Sequence, residues 1–232
     1  MNRSDYGFPQ SIREFRPAQI EAADFAITSE KRFCAIGAPP GVGKSGIALL
    51  IAKLLGGRVA TLTANLGLEN QYLETLPGQY ANIRGRNNYP CWEGGNCADG
   101  QLMGCGDKDG CPYMCAFRAA NAHDRPLSGF AYWLKVNAYG TGMSKPDVLI
   151  VDEAHLAIDW LSKSLDFVVY EAEYKRCGGD PADLLRTEET TAWKAMAGHL
   201  QAIVSQQLYR LQALTATAGR DRDKILHKLR DC

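Results

Sequence analysis

The octapeptide Ala38-Pro-Pro-Gly-Val-Gly-Lys-Ser45 constrains this chain more than any other stretch. It follows a short continuous apolar run, Phe33-Cys34-Ala35-Ile36, of the kind that forms a buried parallel strand. It runs into Lys44 to Leu55, which reads as a helix stopped by Gly56-Gly57. Gly41 and Gly43 let backbone N–H groups turn toward an anion where a Cβ would obstruct them. The positive end of the following helix dipole faces the same anion. Strand, glycine loop and helix in this order match the Walker A phosphate-binding pattern, with Ala38 in place of the usual first Gly. In that pattern Pro40, Gly41, Val42 and Gly43 wrap phosphate oxygens. Lys44 reaches the β- and γ-phosphates of a nucleotide such as ATP, and Ser45 ligates Mg²⁺.

The remaining periodicity agrees with a parallel α/β sheet. Residues 17–29 read as a helix with Pro17 in its first turn and Ile20, Ala23 and Ile27 on one face. Arg58 to Thr63 reads as a strand and Leu66 to Leu76 as a helix stopped by Pro77. The run Asp147-Val-Leu-Ile-Val-Asp-Glu-Ala-His155 is an apolar strand ending in acid. Asp152, at its carboxyl end, suits the Mg²⁺ shell, and Glu153 suits polarisation of an attacking water. His155 follows one turn on, where it would couple nucleotide state to the rest of the protein.

Cysteines organise the stretch between these segments. Five of the eight, Cys91, Cys97, Cys105, Cys111 and Cys115, fall between residues 91 and 115. No apolar run approaches the roughly 20 residues of a membrane helix, and the N-terminus lacks a signal-peptide core. The expected compartment is therefore cytoplasmic, where clustered cysteines read as metal or cluster ligands rather than disulfides. No C-x-x-C knuckle occurs, which argues against a zinc ribbon or finger. Four thiolates can hold a [4Fe–4S] cluster, so one of the five is spare. Residues 78–112 are Gly- and Cys-rich with little periodicity, which reads as an insertion with its own organising element. A helix resumes at Pro112 and runs to about Ala122.

Lys+Arg and Asp+Glu balance at 26 each, which excludes a globally basic nucleic-acid coat and leaves only a local patch for such contact. Within the insertion, Arg84, Arg86 and Tyr89 either contact phosphate and stack on a base or pack internally. Phe130, Tyr132 and Trp133 read as core, and His123 as a helix-end residue rather than a ligand. Cys34 reads as a small buried residue. Phe167 to Tyr170 has weak strand character, residues 188–214 form a long amphipathic helix, and residues 221–230 a short basic one.

Taken together, the phosphate loop and the Asp152-Glu-Ala-His155 run resemble the DEAH-box helicases of superfamily 2. Further segments resemble the iron–sulfur group of that family, which includes XPD, FancJ and DinG. Phe15-Arg-Pro-Ala-Gln19 looks like its adenine-reading motif, with Gln19 bonding the base edge. Thr61-Leu-Thr-Ala-Asn-Leu66 and Gln71-Tyr72 look like motif Ia, which lies along the single-stranded backbone. Gly85-Arg-Asn-Asn-Tyr-Pro-Cys91 and Cys111-Pro-Tyr113 resemble the entry to and exit from the cluster segment. The resemblance runs from Phe15 to His155.

The resemblance implies a RecA-like P-loop NTPase domain in two parts, residues 1–77 and 126–160. It implies an iron–sulfur insertion over 78–125 and a helical, partly arch-like segment over 161–232. Its cluster ligands would be Cys91, Cys97, Cys105 and Cys111, with Cys115 in place of Cys97 as the rival set and zinc as the rival metal. The implied activity is ATP-driven 5′-to-3′ translocation on single-stranded or fork DNA, with ATP, Mg²⁺ and a [4Fe–4S] cluster as cofactors. A second RecA-like domain, absent from the 77 residues after His155, would supply the arginine that completes hydrolysis, in trans if necessary. Leu214-Thr-Ala-Thr-Ala-Gly219 is only a faint match to that family's Thr/Ser-Ala-Thr motif. Two other functions fit the same residues: an ATP-gated single-strand binding module without motor activity, and a zinc-stabilised P-loop NTPase.

Overall fold

The computed structural model describes residues 8, 12 and 14–217, apart from 106–108, 141, 166–169, 177–179, 181 and 183–189. These residues form two units, one spanning residues up to 100 and 106–165, the other 101–105 and 166 onward. The first unit carries a four-stranded, all-parallel sheet in the order β2-β3-β1-β4. Its strands are β1 (Val59–Thr63), β2 (Ala81–Ile83), β3 (Pro126–Gly129) and β4 (Val148–Val151). The chain is thus an α/β protein with helices on both faces of a parallel sheet.

The helices on one face are α1 (Pro17–Thr28), α2 (Lys44–Leu55) and α3 (Leu66–Thr75). Pro17 begins α1 with its φ already helical, and Arg16 N–H donates to Gln19 Oε1 at 2.9 Å. Helix α2 is buried over Ile47 to Ala52, because it lies between the sheet and α1. Ala23 of α1 meets Ile47, Leu50 and Ile51, while Ala48 and Leu49 turn toward Tyr72, Tyr80 and Leu127. Truncating Leu49 or Leu50 to Ala would cost about 2–5 kcal/mol, more than any single surface contact here.

The opposite face is covered by α6 (Phe130–Tyr139) and α7 (Ala154–Leu165). There Leu62, Ala64 and Phe130 pack with Trp133, Val151, Ala157 and Trp160. Strand alternation divides β4 between the layers: Ile150 joins the α1–α2 side and Val151 the α6–α7 side. Central β1 is buried at all five positions.

Helices α4 (Cys97–Leu102) and α5 (Pro112–Ala122) come from the cysteine-bearing stretch. A single side chain closes α5. Arg58 donates from Nη1 to the carbonyls of Asn121 and His123 and from Nη2 to that of Ala120. Those are the carbonyls a helix end leaves unpaired, and a cation suits the negative end of its dipole. His123 caps α5, and burial holds its imidazole below the ordinary value. Phe130 is fully buried and Tyr132 and Trp133 partly so, in line with a packing role.

The strand expected before the loop 38–45 does not form. Phe33 to Ile36 has no ladder partner among the described residues, and Phe33 is 82% exposed. Cys34, read as buried, is exposed for the same reason. A strand exists only where a neighbour accepts its hydrogen bonds, and β4 pairs with β1 alone. Leu149 on the outer strand β4 is 43% exposed. Conversely, two strands that periodicity did not reveal do form. Short β2 lies inside the Gly- and Cys-rich stretch and β3 starts at Pro126; both are too short for alternation to show.

In the second unit, α8 (Glu171–Arg176) buries Tyr174, and the helix Thr190–Thr217 buries Leu200 while Trp193 stays 42% exposed. The weak strand expected at 167–170 and the helix expected at 221–230 fall largely or wholly outside the described residues. Among the described residues no helix is long and apolar enough to cross a membrane.

Candidate functional site

Two positions of the loop 38–45 have backbone that favours glycine. Gly41 and Gly43 have φ of 80° and 88°, and Gly43 starts α2 from the left-handed region. A Cβ on Gly43 would stand 2.6 Å from Gln19 Nε2. Gly43→Ala therefore combines left-handed strain with displacement of Gln19, and is expected to destabilise the fold by about 1–3 kcal/mol. Thermal or urea unfolding checks this.

The loop is braced from α1. Gln19 Nε2 donates to the carbonyls of Val42 at 2.9 Å and Gly43 at 3.3 Å, and Arg16 Nη1 donates to that of Gly41 at 2.9 Å. Gln19, expected at a base edge, is 8% exposed with both ends of its amide engaged in this bracing. Val42 turns its side chain to the α1–α2 layer, and Pro40 and Gly41 form the turn itself. No side chain caps α2, so the N–H groups of its first turn suit an anion. Ser45 sits half-buried in that turn.

Lys44 and Glu153, 109 residues apart, meet here at 2.5 Å between Nζ and Oε1. Each holds the other charged. Hydrogen bonding by Glu153 raises the Lys44 ammonium above its usual value, and hydrogen bonding by Lys44 lowers the Glu153 carboxyl. Both remain partly open to solvent, at 37% and 25% exposure, so water screens the pair and its net worth is small. A polyphosphate carrying several negative charges would outcompete one exposed carboxylate for Lys44.

Glu153 is also the only non-glycine among the described residues with positive φ, at 53°. That conformation is uncommon for Glu and is held by its surroundings. Its N–H donates to Asp152 Oδ1 at 3.0 Å, its carbonyl accepts from Leu156, and His155 Nδ1 lies 3.4 Å from Oε2. Asp152 is fixed on its other oxygen by Tyr72 Oη at 3.1 Å. Burial, with the Asp152 carboxylate beside it, keeps the Tyr72 proton in place well above the usual phenol range. Lys44, Asp152 and Glu153 are thus gathered around the start of α2, with Ser45 next in that helix. Glycine geometry, an uncapped helix start and adjacent carboxylates fit a nucleotide phosphate with Mg²⁺.

Two of the expected cluster ligands lie side by side. Cys97 and Cys111, both buried, lie with their sulfurs 3.9 Å apart. Arg86 Nη1 donates to Cys97 Sγ at 3.3 Å, and its guanidinium lies 4.1 Å from the Tyr113 ring. Burial pushes the Cys97 thiol up while Arg86 pulls it down. Cys91 is half-buried, Cys105 is buried within the second unit and Cys115 is exposed one turn beyond Cys111. Among the described residues no three potential ligand side chains converge on one point. The donor chemistry of Cys97, Cys111 and Arg86 fits a thiolate-bound group.

Arg84, Arg86 and Tyr89, all half-buried, make internal contacts. Arg84 Nε pairs with Glu69 Oε2 at 2.7 Å and Nη2 with Asn70 Oδ1 at 2.5 Å, while Arg84 N–H donates to Tyr89 Oη. Tyr89 meets Tyr113 edge-on, and Tyr113 shares a 2.9 Å hydroxyl contact with Tyr132. Sequence reasoning missed Glu69, which is 2% exposed, and read Tyr72, one turn further along α3, as part of a DNA-strand-contacting motif; Tyr72 is instead buried with its hydroxyl on Asp152. Compared with known proteins, the chain matches no family model and no curated sequence.

Proposed function

We propose that the chain binds ATP and Mg²⁺ as a RecA-like module of the iron–sulfur DEAH-box helicase type and acts on single-stranded or fork DNA. One observation carries the reading: Lys44, behind two left-handed glycines at a helix start, meets the Asp152–Glu153 pair at the end of a parallel strand. The resemblance of Phe15–Gln19, Thr61–Leu66 and Cys111–Tyr113 to helicase motifs supplies the substrate class. Ser45 and Asp152 are the residues that would hold Mg²⁺, which when bound supplies charge neutralisation on the phosphates.

In this reading Lys44 leaves Glu153 for the β- and γ-phosphate oxygens when nucleotide enters. Glu153, so released, accepts a proton from the water whose oxygen bonds the γ-phosphorus as the bond to ADP breaks. Gln19 and Arg16 keep the loop in shape by holding its carbonyls. Full turnover includes a second domain, on this or another chain, that contributes an arginine. Cys91, Cys97, Cys105 and Cys111 would hold a [4Fe–4S] cluster, which when bound cross-links the insertion.

Titration with a fluorescent ATP analogue in Mg²⁺ tests the reading. Dissociation constants of about 1–100 μM are expected, inside the usual substrate range, with turnover below about 1 s⁻¹ for this chain alone. No binding at 1 mM, roughly the upper end of that range, overturns it. Anaerobic purification followed by iron and sulfide analysis tests the cluster separately. The expected outcome is a visibly coloured protein with roughly four irons per chain. A colourless protein with bound zinc would instead identify a zinc-stabilised P-loop NTPase.

A further inference from the structure

We infer that Tyr72 is a positioning residue for Asp152, setting how strongly nucleotide binding depends on Mg²⁺. The inference rests on the ATP–Mg²⁺ reading of the site. Asp152 receives one donor on each carboxylate oxygen: Glu153 N–H on Oδ1 at 3.0 Å and Tyr72 Oη on Oδ2 at 3.1 Å. Two donors on two oxygens fix rotation of the carboxylate plane while leaving lone pairs on both atoms. The Oδ1 donor belongs to a residue with φ of 53°, so it holds only while that strained backbone does.

The Oδ2 donor is differently supported. Tyr72 is 2% exposed, meets Tyr80 edge-on at 5.5 Å between centroids, and packs with Ala48 and Leu49 of α2. Its ring therefore rests against the helix that begins with Lys44, and its hydroxyl reaches the acid that follows β4. One rigid side chain sets the spacing between the two halves of the site. Helix α3 is itself anchored one turn earlier, where Glu69 accepts from Arg84 Nε and Asn82 Nδ2. A positioned carboxylate that no longer turns freely presents the same oxygens to each incoming ion, which is the support a metal-binding acid needs.

Tyr72→Phe keeps the ring and its packing and removes only the hydroxyl. The experiment measures affinity for the fluorescent ATP analogue across a Mg²⁺ titration and in EDTA, for wild type and variant. Loss of one hydrogen bond to a charged group predicts a Mg²⁺ midpoint raised about 3- to 10-fold, with affinity in EDTA unchanged. A general packing defect would weaken both in proportion, and that result overturns the inference, as does an unchanged midpoint. Asp152→Asn supplies the second arm: adding Tyr72→Phe to it should change the midpoint no further, because the positioned group is already gone. Additive shifts would overturn the inference while leaving the nucleotide site intact. A wild-type protein whose binding ignores Mg²⁺ overturns the ATP–Mg²⁺ reading itself, and this inference with it.

Discussion

Lys44→Ala is expected to weaken Mg²⁺–ATP binding by about 100-fold or more while leaving the fold in place. The size follows from losing the charge-assisted contacts to two phosphates that the proposed function gives Lys44, each stronger than a neutral hydrogen bond. The intact fold follows from solvent access: Glu153, left without Lys44, is 25% exposed and is hydrated instead of stranded. Unfolding measured by circular dichroism should move little, and titration of the ATP analogue should move greatly. The contrast excludes a Lys44 that serves only to hold β4 against α2. The pH dependence carries a sign as well. Glu153 is held below its ordinary value, so the pair's contribution is complete above about pH 4.3 and lost as pH falls through the lowered value. Lys44 is raised, so its share is complete below about pH 10.4 and lost as pH rises through the raised value. Between these limits the Lys44–Glu153 contact should be insensitive to pH.

Arg84→Ala is the substitution of a charged residue expected to harm folding most. Glu69 is 2% exposed, and without Arg84 Nε at 2.7 Å it keeps only Asn82 at 3.3 Å among its hydrogen-bond donors. Stranding a buried charge costs about 3–5 kcal/mol, a large part of the 5–15 kcal/mol by which a domain is stable. The site allows little relief. Even a Cβ on Gly129 would lie 2.9 Å from Glu69 Oε1, so the strand end leaves the carboxylate no room for a larger neighbour. Denaturant unfolding should show the loss, and Glu69→Leu combined with Arg84→Met should recover most of it, because an apolar pair of similar size carries no desolvation cost. If Arg84→Ala melts like wild type, the pair is not what joins α3 to the segment after β2.

Much of the first unit was legible in advance, for identifiable reasons. Helices α1, α2, α3 and α5 are marked by Pro17, Gly56-Gly57, Pro77 and Pro112, residues whose backbone limits act locally. Strand β4 is a continuous apolar run and β1 a stretch of Val, Leu and Thr that suits a strand; the acids after β4 were expected near the loop before α2 from motif order, whereas the Lys44–Glu153 contact was not. Phe33 to Ile36 carries an equally good strand composition and forms none, because pairing depends on what lies alongside and composition does not report that. β2 was hidden by its three-residue length within a Gly- and Cys-rich stretch. Arg84 shows the same limit: a basic residue beside motif-like sequence suits a phosphate, and only the fold reveals the buried glutamate it neutralises.

The outer strand β4 has a consequence for how the protein behaves in the test tube. Among the described residues nothing pairs with the outer edge of β4; Val148-Leu149-Ile150-Val151 has no lysine or proline to blunt it, and the apolar Phe33 to Ile36 segment is exposed. Natural edges are normally protected by such devices against pairing with another chain. Handling should therefore be concentration-limited, with self-association setting in as the sample is concentrated. Leu149→Lys should raise the concentration at which it begins, in sedimentation or light scattering, while leaving nucleotide affinity unchanged. The strand that delivers Asp152 thus sets colloidal behaviour as well as the geometry of the site.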